Sequence, residues 1–246
     1  MARSALRLAW GAYCWLLFAA LLTAAVLAAI LLPSLRLRRD ASRALARGFF
    51  RFSGLGFRVD GLDRLPERSS VVVANHSSYI DGPLLYAALP SRFGFVIKKE
   101  IAKLPLARWL LHRLGHELVD RHNKSESAKD TRRILKAAFS GDSVAFFPEG
   151  TFTATPGLAR FHSGAFVTAS KAGMPVVPVV IHGARRVLPS ETWLPRRGPL
   201  HVEILEALPP PPGPDAVAEL REASRRAILG RLDEPDLEGK RIADSG

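Results

Sequence analysis

The stretch Val71-Val72-Val73-Ala74-Asn75-His76-Ser77-Ser78-Tyr79-Ile80-Asp81 decides the fold. Three β-branched residues and an alanine lie between Ser69-Ser70 and a polar heptapeptide. Such a run reads as a short strand buried on both faces, because no polar side chain alternates within it. Asp81 is predicted to N-cap a helix through Pro83-Leu84-Leu85-Tyr86, a proline being tolerated in a first turn. The strand carries His76 to the end of a sheet, where α/β folds place their ligand sites. A carboxylate that accepts from one imidazole nitrogen fixes the tautomer and leaves the other nitrogen the better base. An imidazole of ordinary pKa near 6.5 takes a proton from a hydroxyl close to neutrality. The plainer alternative for a His and an Asp in one turn is local capping.

Outward from this segment, apolar runs at 71–74, 93–97, 116–119, 143–147, 176–181 and 200–206 read as strands. Helical patterns near 81–89, 104–114, 124–139 and 163–173 separate them. Strand and helix in alternation, with Val-rich runs, predict an α/β domain over 58–207: a mostly parallel or mixed sheet flanked by helices. Leu208-Pro209-Pro210-Pro211-Pro212-Gly213-Pro214 reads as a stiff polyproline spacer opening the segment 208–246. A short helix at 215–229 and a loose charged tail from Asp233 are expected after it.

Residues 1–57 are of another kind. Between Leu8 and Leu35 no side chain is charged, and the run contains WGAYCWLLFAALLTAAVLAAILL. Residues 9 to 32 as a helix extend roughly 36 Å, enough for a hydrocarbon core of about 30 Å. Trp10, Tyr13 and Trp15 cluster at one end, as interfacial aromatics do. The run is too long for a signal-peptide core, and Arg36-Leu37-Arg38-Arg39 is no cleavage site, so an uncleaved anchor is expected. Arginines following it place the remainder on the cytoplasmic face by the positive-inside bias. Residues 41–57, ASRALARGFFRFSGLGF, interleave arginines with Leu45, Phe49, Phe50 and Phe52, which suits a helix in the headgroup layer. The alternative is an amphipathic helix covering the domain core. Anchor and interfacial helix together form a membrane-docking pair.

The 246 residues carry a formal charge of +12, which points to a polyanionic partner. No helix-turn-helix or aromatic RNA-binding signature is present, so membrane lipids and not nucleic acid are the expected partner. The single cysteine, Cys14, cannot form an intrachain disulfide. His112 and His116 have helical metal-ligand spacing, but Gly115 breaks the helix between them and no H-E-x-x-H accompanies them, so no metal is expected. Gly54-Leu55-Gly56 lacks the rest of a dinucleotide fingerprint and reads as a hinge.

Three further segments carry chemistry. Phe146-Phe147-Pro148-Glu149-Gly150-Thr151 is a strand entering a turn with one carboxylate, a glycine that permits close backbone approach, and a hydroxyl donor. An ordinary strand-to-loop turn fits the same residues. Gly115-His116-Glu117-Leu118-Val119-Asp120-Arg121 is a strand ending in an arginine suited to phosphate oxygens, or in a surface Asp-Arg pair. Met174-Pro175-Val176-Val177-Pro178-Val179-Val180 is a buried strand with prolines at its entrance.

Taken in order, the four segments resemble the blocks of the phospholipid/glycerol acyltransferase family, which includes the 1-acyl-glycerol-3-phosphate acyltransferases. Those blocks are N-H-x4-D, G-x-x-[FL]-[IV]-D-R, F-P-E-G-T-R and V-P-V-x-P, and the match covers residues 70–185. The resemblance implies transfer of a fatty acyl group from an acyl-carrier-protein or coenzyme A thioester to a lysophospholipid hydroxyl, without a further cofactor. It implies His76 as general base, Asp81 as its orienting acid, and Asn75, Glu149, Gly150 and Thr151 about the acceptor, with Arg121 on its phosphate. The chain lacks a G-x-S-x-G elbow, so no acyl-enzyme is expected, and backbone amides near His76 or at the helix start are the candidate oxyanion donors. One position departs from the family: Phe152 stands where arginine usually follows E-G-T. Arg160, His162 and Lys98 are the candidates to replace it, Lys99 and Lys103 being others, and an acceptor with another headgroup, such as an amino-acid lipid, enters consideration. Hydrolysis, transacylation between lipids and non-catalytic lipid binding are the rival readings.

Overall fold

The computed structural model of the chain describes residues 2–102, 105–119, 124–139, 141–152 and 154–238. Seven strands form one sheet: β1 (Phe57–Asp60), β2 (Val71–Ala74), β3 (Phe93–Lys98), β4 (Glu117–Val119), β5 (Ser143–Phe146), β6 (Val176–His182) and β7 (Leu200–Ile204). Their spatial order is β1-β7-β6-β2-β5-β3-β4. Every neighbouring pair is parallel except β6 with β7, so a two-stranded block runs against the five-stranded one. The fold is therefore the expected mixed α/β sheet.

β2 lies between β5 and β6 with all four residues buried, which accounts for its lack of alternation. Its odd and even residues feed two cores. Val72 and Ala74 pack with α3 (Asp81–Ala88), while Val71 and Val73 pack with Phe161 and Phe166 around α6 (Gly164–Ala172). From β2 the chain crosses to β3 on one side, and from β5 it crosses to β6 on the other. The carboxyl ends of β2 and β5 thus flank a topological switch, the position where open α/β sheets form a crevice. α4 (Pro105–Arg113) and α5 (Lys124–Phe139) connect β3, β4 and β5, and a one-turn α7 (Ala184–Val187) follows β6. β1 has no apolar run of its own; it forms by pairing Phe57–Asp60 with Leu200–Glu203.

The expected apolar N-terminal helix is present, and the helix after it departs in part from expectation. α1 (Ala2–Leu31) and α2 (Leu35–Ser53) form an antiparallel hairpin laid on the domain. α2 begins six residues before the amphipathic segment and stops at Gly54, whose φ of 74° gives a left-handed cap that donates to the Arg51 carbonyl. Gly54 is a helix stop and not a hinge. Two arginines just ahead of the amphipathic segment are committed inward. Arg39, 5% exposed, donates to the carbonyls of Leu114 and Gly115 at the end of α4, and Arg38 donates to those of Leu32 and Pro33. Phe50, 1% exposed, joins the core. α2 therefore covers the domain on one side, while Arg47, Arg51 and Phe52 stay exposed.

The tail from Asp233 is not loose over its described part. Leu158 N–H donates to Pro235 O and Leu237 N–H to Leu158 O, a strand-like bridge. Leu237 is 6% exposed. Arg225 of α8 (Ala216–Leu229) grips Asp236 through both Nη atoms and also donates to Leu158 O. Residues 233–238 strap the loop that follows the Glu149 turn.

Candidate active site

β2 delivers Asn75 and His76 at its carboxyl end, and α3 begins five residues later. The imidazole Nδ1 lies 3.0 Å from Asp81 Oδ2. That oxygen also accepts the Ser77 and Ser78 N–H groups, at 2.6 and 2.8 Å. The carboxylate reaches back to the loop instead of forward over the helix, and Ile80 occupies the N-cap position assigned to Asp81. Asp81 is fully buried, so its bonds are not diluted by water. With Oδ2 accepting from two backbone groups already, the ring nitrogen facing it is the donor. This assigns the Nδ1–H tautomer and leaves Nε2 as the base. His76, 15% exposed in its side chain, opens into a cleft of about 180 Å³.

Glu149 lines the same cleft but is 6% exposed, and it spans two elements. Oε1 accepts the His76 N–H at 2.6 Å and Oε2 the Ala159 N–H at 2.8 Å. Burial pushes its carboxyl pKa up to about 8, against the lowering effect of those two donors. Its role is to fix the backbone of the base. The amides of His76, Ser77 and Ser78 are all consumed by Glu149 and Asp81. The oxyanion donors expected there are therefore not available, and among the cleft-lining residues Thr151, Arg160 and His162 carry donors instead.

The remaining expected residues divide. Thr151, Arg160 and His162 line the cleft with His76 and are exposed. Asn75 does not: 3% exposed, it donates to Ile181 O and accepts Ile181 N–H, bridging β2 to β6. Gly150, at φ 81°, makes the turn possible without lining the cleft. Lys98 is away from the cleft, 3.8 Å from Glu100. Arg121 and Lys103 lie outside the described residues. His116 is buried away from the cleft: its Nδ1 accepts the Phe95 N–H at 3.1 Å, and burial lowers its pKa to about 3.

Two residues were missed. Arg185, just past β6, lines the cleft and is held by Glu234 of the strap, Nε to Oε1 at 2.8 Å and Nη2 to Oε2 at 2.9 Å. A cation beyond the end of a central strand was a usable signal for Arg185; nothing in the sequence marked Glu234. Aromatic rings pack around His76, with Phe152 among the cleft-lining residues. Phe147 stacks on His76 at 4.3 Å, and Phe152 meets the His76 and Tyr79 rings edge-on at 4.6 and 4.8 Å. Tyr79 stacks on Trp193 at 5.2 Å, and Trp15 of α1 donates to Trp193 O. A series of rings thus runs from the base to the apolar helix. A larger recess of about 820 Å³, bounded by Trp10, Arg7, Arg196 and Arg197, holds none of the acid–base residues.

The acyltransferase family model matches residues 56–182, and the chain belongs to that family. A lyso-ornithine lipid O-acyltransferase of Pseudomonas aeruginosa is 32% identical over 192 residues, 72% of each chain. A 1-acyl-sn-glycerol-3-phosphate acyltransferase of Chlamydomonas reinhardtii is 34% identical over 71% of this chain. This chain spans about half or less of the length of the algal and chloroplastic relatives: 51% of the Chlamydomonas protein, 39% of one from Brassica napus and 37% of one from Arabidopsis thaliana. The crystal structure of the 1-acyl-sn-glycerophosphate acyltransferase PlsC from Thermotoga maritima has the same fold, with a TM-score of 0.75 at 21% identity, covering 93% of this chain and 97% of that one.

Proposed function

We propose that the protein is a membrane-bound lysolipid O-acyltransferase that moves a fatty acyl group from an acyl-carrier-protein or coenzyme A thioester to a lysolipid hydroxyl. The observation that carries this reading is the His76–Asp81 bond at a cleft beside a series of aromatic rings. His76 Nε2 takes the acceptor hydroxyl proton as the oxygen attacks the thioester carbonyl; the C–O bond forms, the C–S bond breaks, and the imidazolium returns its proton to the leaving thiolate. Asp81 holds the ring and balances its transient charge. The Phe152, Tyr79 and Trp193 rings offer apolar surface for acyl chains between the base and α1. The exposed apolar residues of α1, among them Leu16, Leu22, Leu27 and Ile30, would enter the membrane. The domain would then sit on the cytoplasmic face.

Most of the relatives named above act, by name, on 1-acyl-sn-glycerol-3-phosphate, and that is the leading acceptor. A second acceptor class, a lysolipid with an amino-acid headgroup, is favoured by Phe152, whose ring packs on His76 where an arginine would meet phosphate. The test incubates purified protein with each thioester and a panel of lysolipids, scoring products by mass. Acyl loss without acceptor supports hydrolysis, and transfer without thioester supports transacylation; either sinks this reading. Phe152→Arg should raise use of lysophosphatidic acid relative to other acceptors, and an unchanged preference would remove Phe152 from headgroup choice.

A further inference from the structure

The cleft holds more cationic side chain than cationic charge. Arg160 and Arg185 both line it, but Arg185 already carries a two-point carboxylate contact from Glu234. Glu234 Oε2 also accepts the Gly157 N–H at 2.7 Å, so the carboxylate is fixed directly behind two residues of the cleft lining, Arg185 and Gly157. The side chains of Arg185 and Glu234 are 17% and 20% exposed, partly shielded yet reachable from the opening. The strap holds Glu234 there by means that do not involve Arg185: the Leu158 bridge, the Arg225–Asp236 grip and burial of Leu237. Gly157 makes room for it. A Cβ at Gly157, where φ is 140°, would meet Leu237 Cγ at 2.4 Å.

We propose that Arg185 and Glu234 together read the acceptor headgroup, and that the strap-borne carboxylate selects a zwitterionic, amino-acid-bearing lysolipid over a phosphate monoester. The inference rests on the proposed acyl transfer and deepens its second acceptor class. A headgroup with both ammonium and carboxylate finds a counter-charge for each, the Glu234 side of the pair for the ammonium and Arg160 for the carboxylate. A phosphate dianion would have to approach a guanidinium whose charge is already matched, with a carboxylate alongside, and like charges so placed are strongly unfavourable. Phe152 supplies no compensating cation.

The test measures kcat/KM of the full-length parent chain for a lysolipid with a zwitterionic amino-acid headgroup and for lysophosphatidic acid, with one thioester donor and the same micelles. The two acceptors are compared on one preparation, so a reduced folded fraction cancels from the ratio. The parent should prefer the zwitterion. Glu234→Gln should shift the ratio toward lysophosphatidic acid by about tenfold or more, mainly through KM. Gly157→Ala, whose Cβ would push Leu237 and the strap away while leaving the Glu234 carboxylate chemically intact, should shift it the same way. A parent that prefers lysophosphatidic acid, or an unmoved ratio in both variants, overturns the inference while leaving acyl transfer standing. A parent that acylates no lysolipid overturns the function and this inference together.

Discussion

At the scale of single residues, His76 is held from both sides: Asp81 grips its ring and Glu149 its backbone N–H. Replacing His76 by Ala removes the proton acceptor without touching α1 or the sheet. Transfer should fall about a thousandfold while vesicle binding is retained; near-normal turnover would exclude His76 from the chemistry. Glu149 makes a separate prediction. Its carboxyl is raised from the ordinary 4.5 to about 8, so between those values the folded chain holds a proton that the unfolded chain releases. Stability therefore declines as pH rises from about 4.5 to about 8. Glu149→Gln should lower stability, because its amide NH2 faces one of two N–H donors. It should also flatten that slope, which melting temperatures across the pH range measure in both proteins. His76 and Asp81 were legible because five residues of sequence bring them together at a strand end. Asn75 and Glu149 misled: Ile181 and His76, the backbone they bind, lie 106 and 73 residues away in the chain, so residue type pointed to substrate where geometry points to backbone. Arg185 meets Glu234 only once the tail has folded back.

At the scale of elements, buried strands are readable because β2, β5 and β6 carry uninterrupted apolar runs. β1 is not, because Phe57–Asp60 alternates with charge and exists only through its pairing with β7. α2 shows a related ambiguity. Arginine between phenylalanines is the pattern of a headgroup-layer helix, and equally of a helix whose arginines cap a neighbour, and only tertiary contacts distinguish them. Arg39, on the same helix ahead of the phenylalanines, shows the second use. It donates at 2.8 and 3.0 Å to the Leu114 and Gly115 carbonyls, a cation at the C-terminal end of α4 where the helix dipole favours it. Arg39→Leu keeps apolar volume but leaves those carbonyls unpaired beside the core. The expected cost is about 3 kcal/mol in chemical denaturation, since hydrogen bonds from a charged donor and the desolvated acceptors both count. A change within about 0.5 kcal/mol, the range of ordinary surface substitutions, would mean the contacts are dispensable and α2 is free to serve the membrane alone.

At the scale of the whole molecule, the question is how a domain can reach lipid without leaving the aqueous phase. α1 is long enough to cross a bilayer, yet it is tied to the domain near both ends. Trp10 donates to Ser53 O and Tyr13 to Phe52 O at one end; Arg113 donates to Ala29 O at the other. Between Trp10 and Ala29 the helix runs roughly 29 Å. A perpendicular crossing would carry one of those attachment points, with the polar backbone it contacts, to the far side of the hydrocarbon, where unpaired groups are costly. A helix lying along the domain keeps both ties and sinks its outer leucines into one leaflet, bringing the ring series from Trp15 to His76 to the lipid boundary. The helical pair therefore predicts a monotopic arrangement, with both ends of α1 on the domain's side. Single cysteines at Ser4 and Ser34, in a Cys14→Ser background, should both react with a membrane-impermeant thiol reagent on the side of sealed vesicles that carries the domain. If Ser4→Cys is labelled only after the vesicles are opened, α1 spans the bilayer, its ties to Ser53 and Phe52 cannot hold in the membrane, and the aromatic route to the cleft is broken at Trp15.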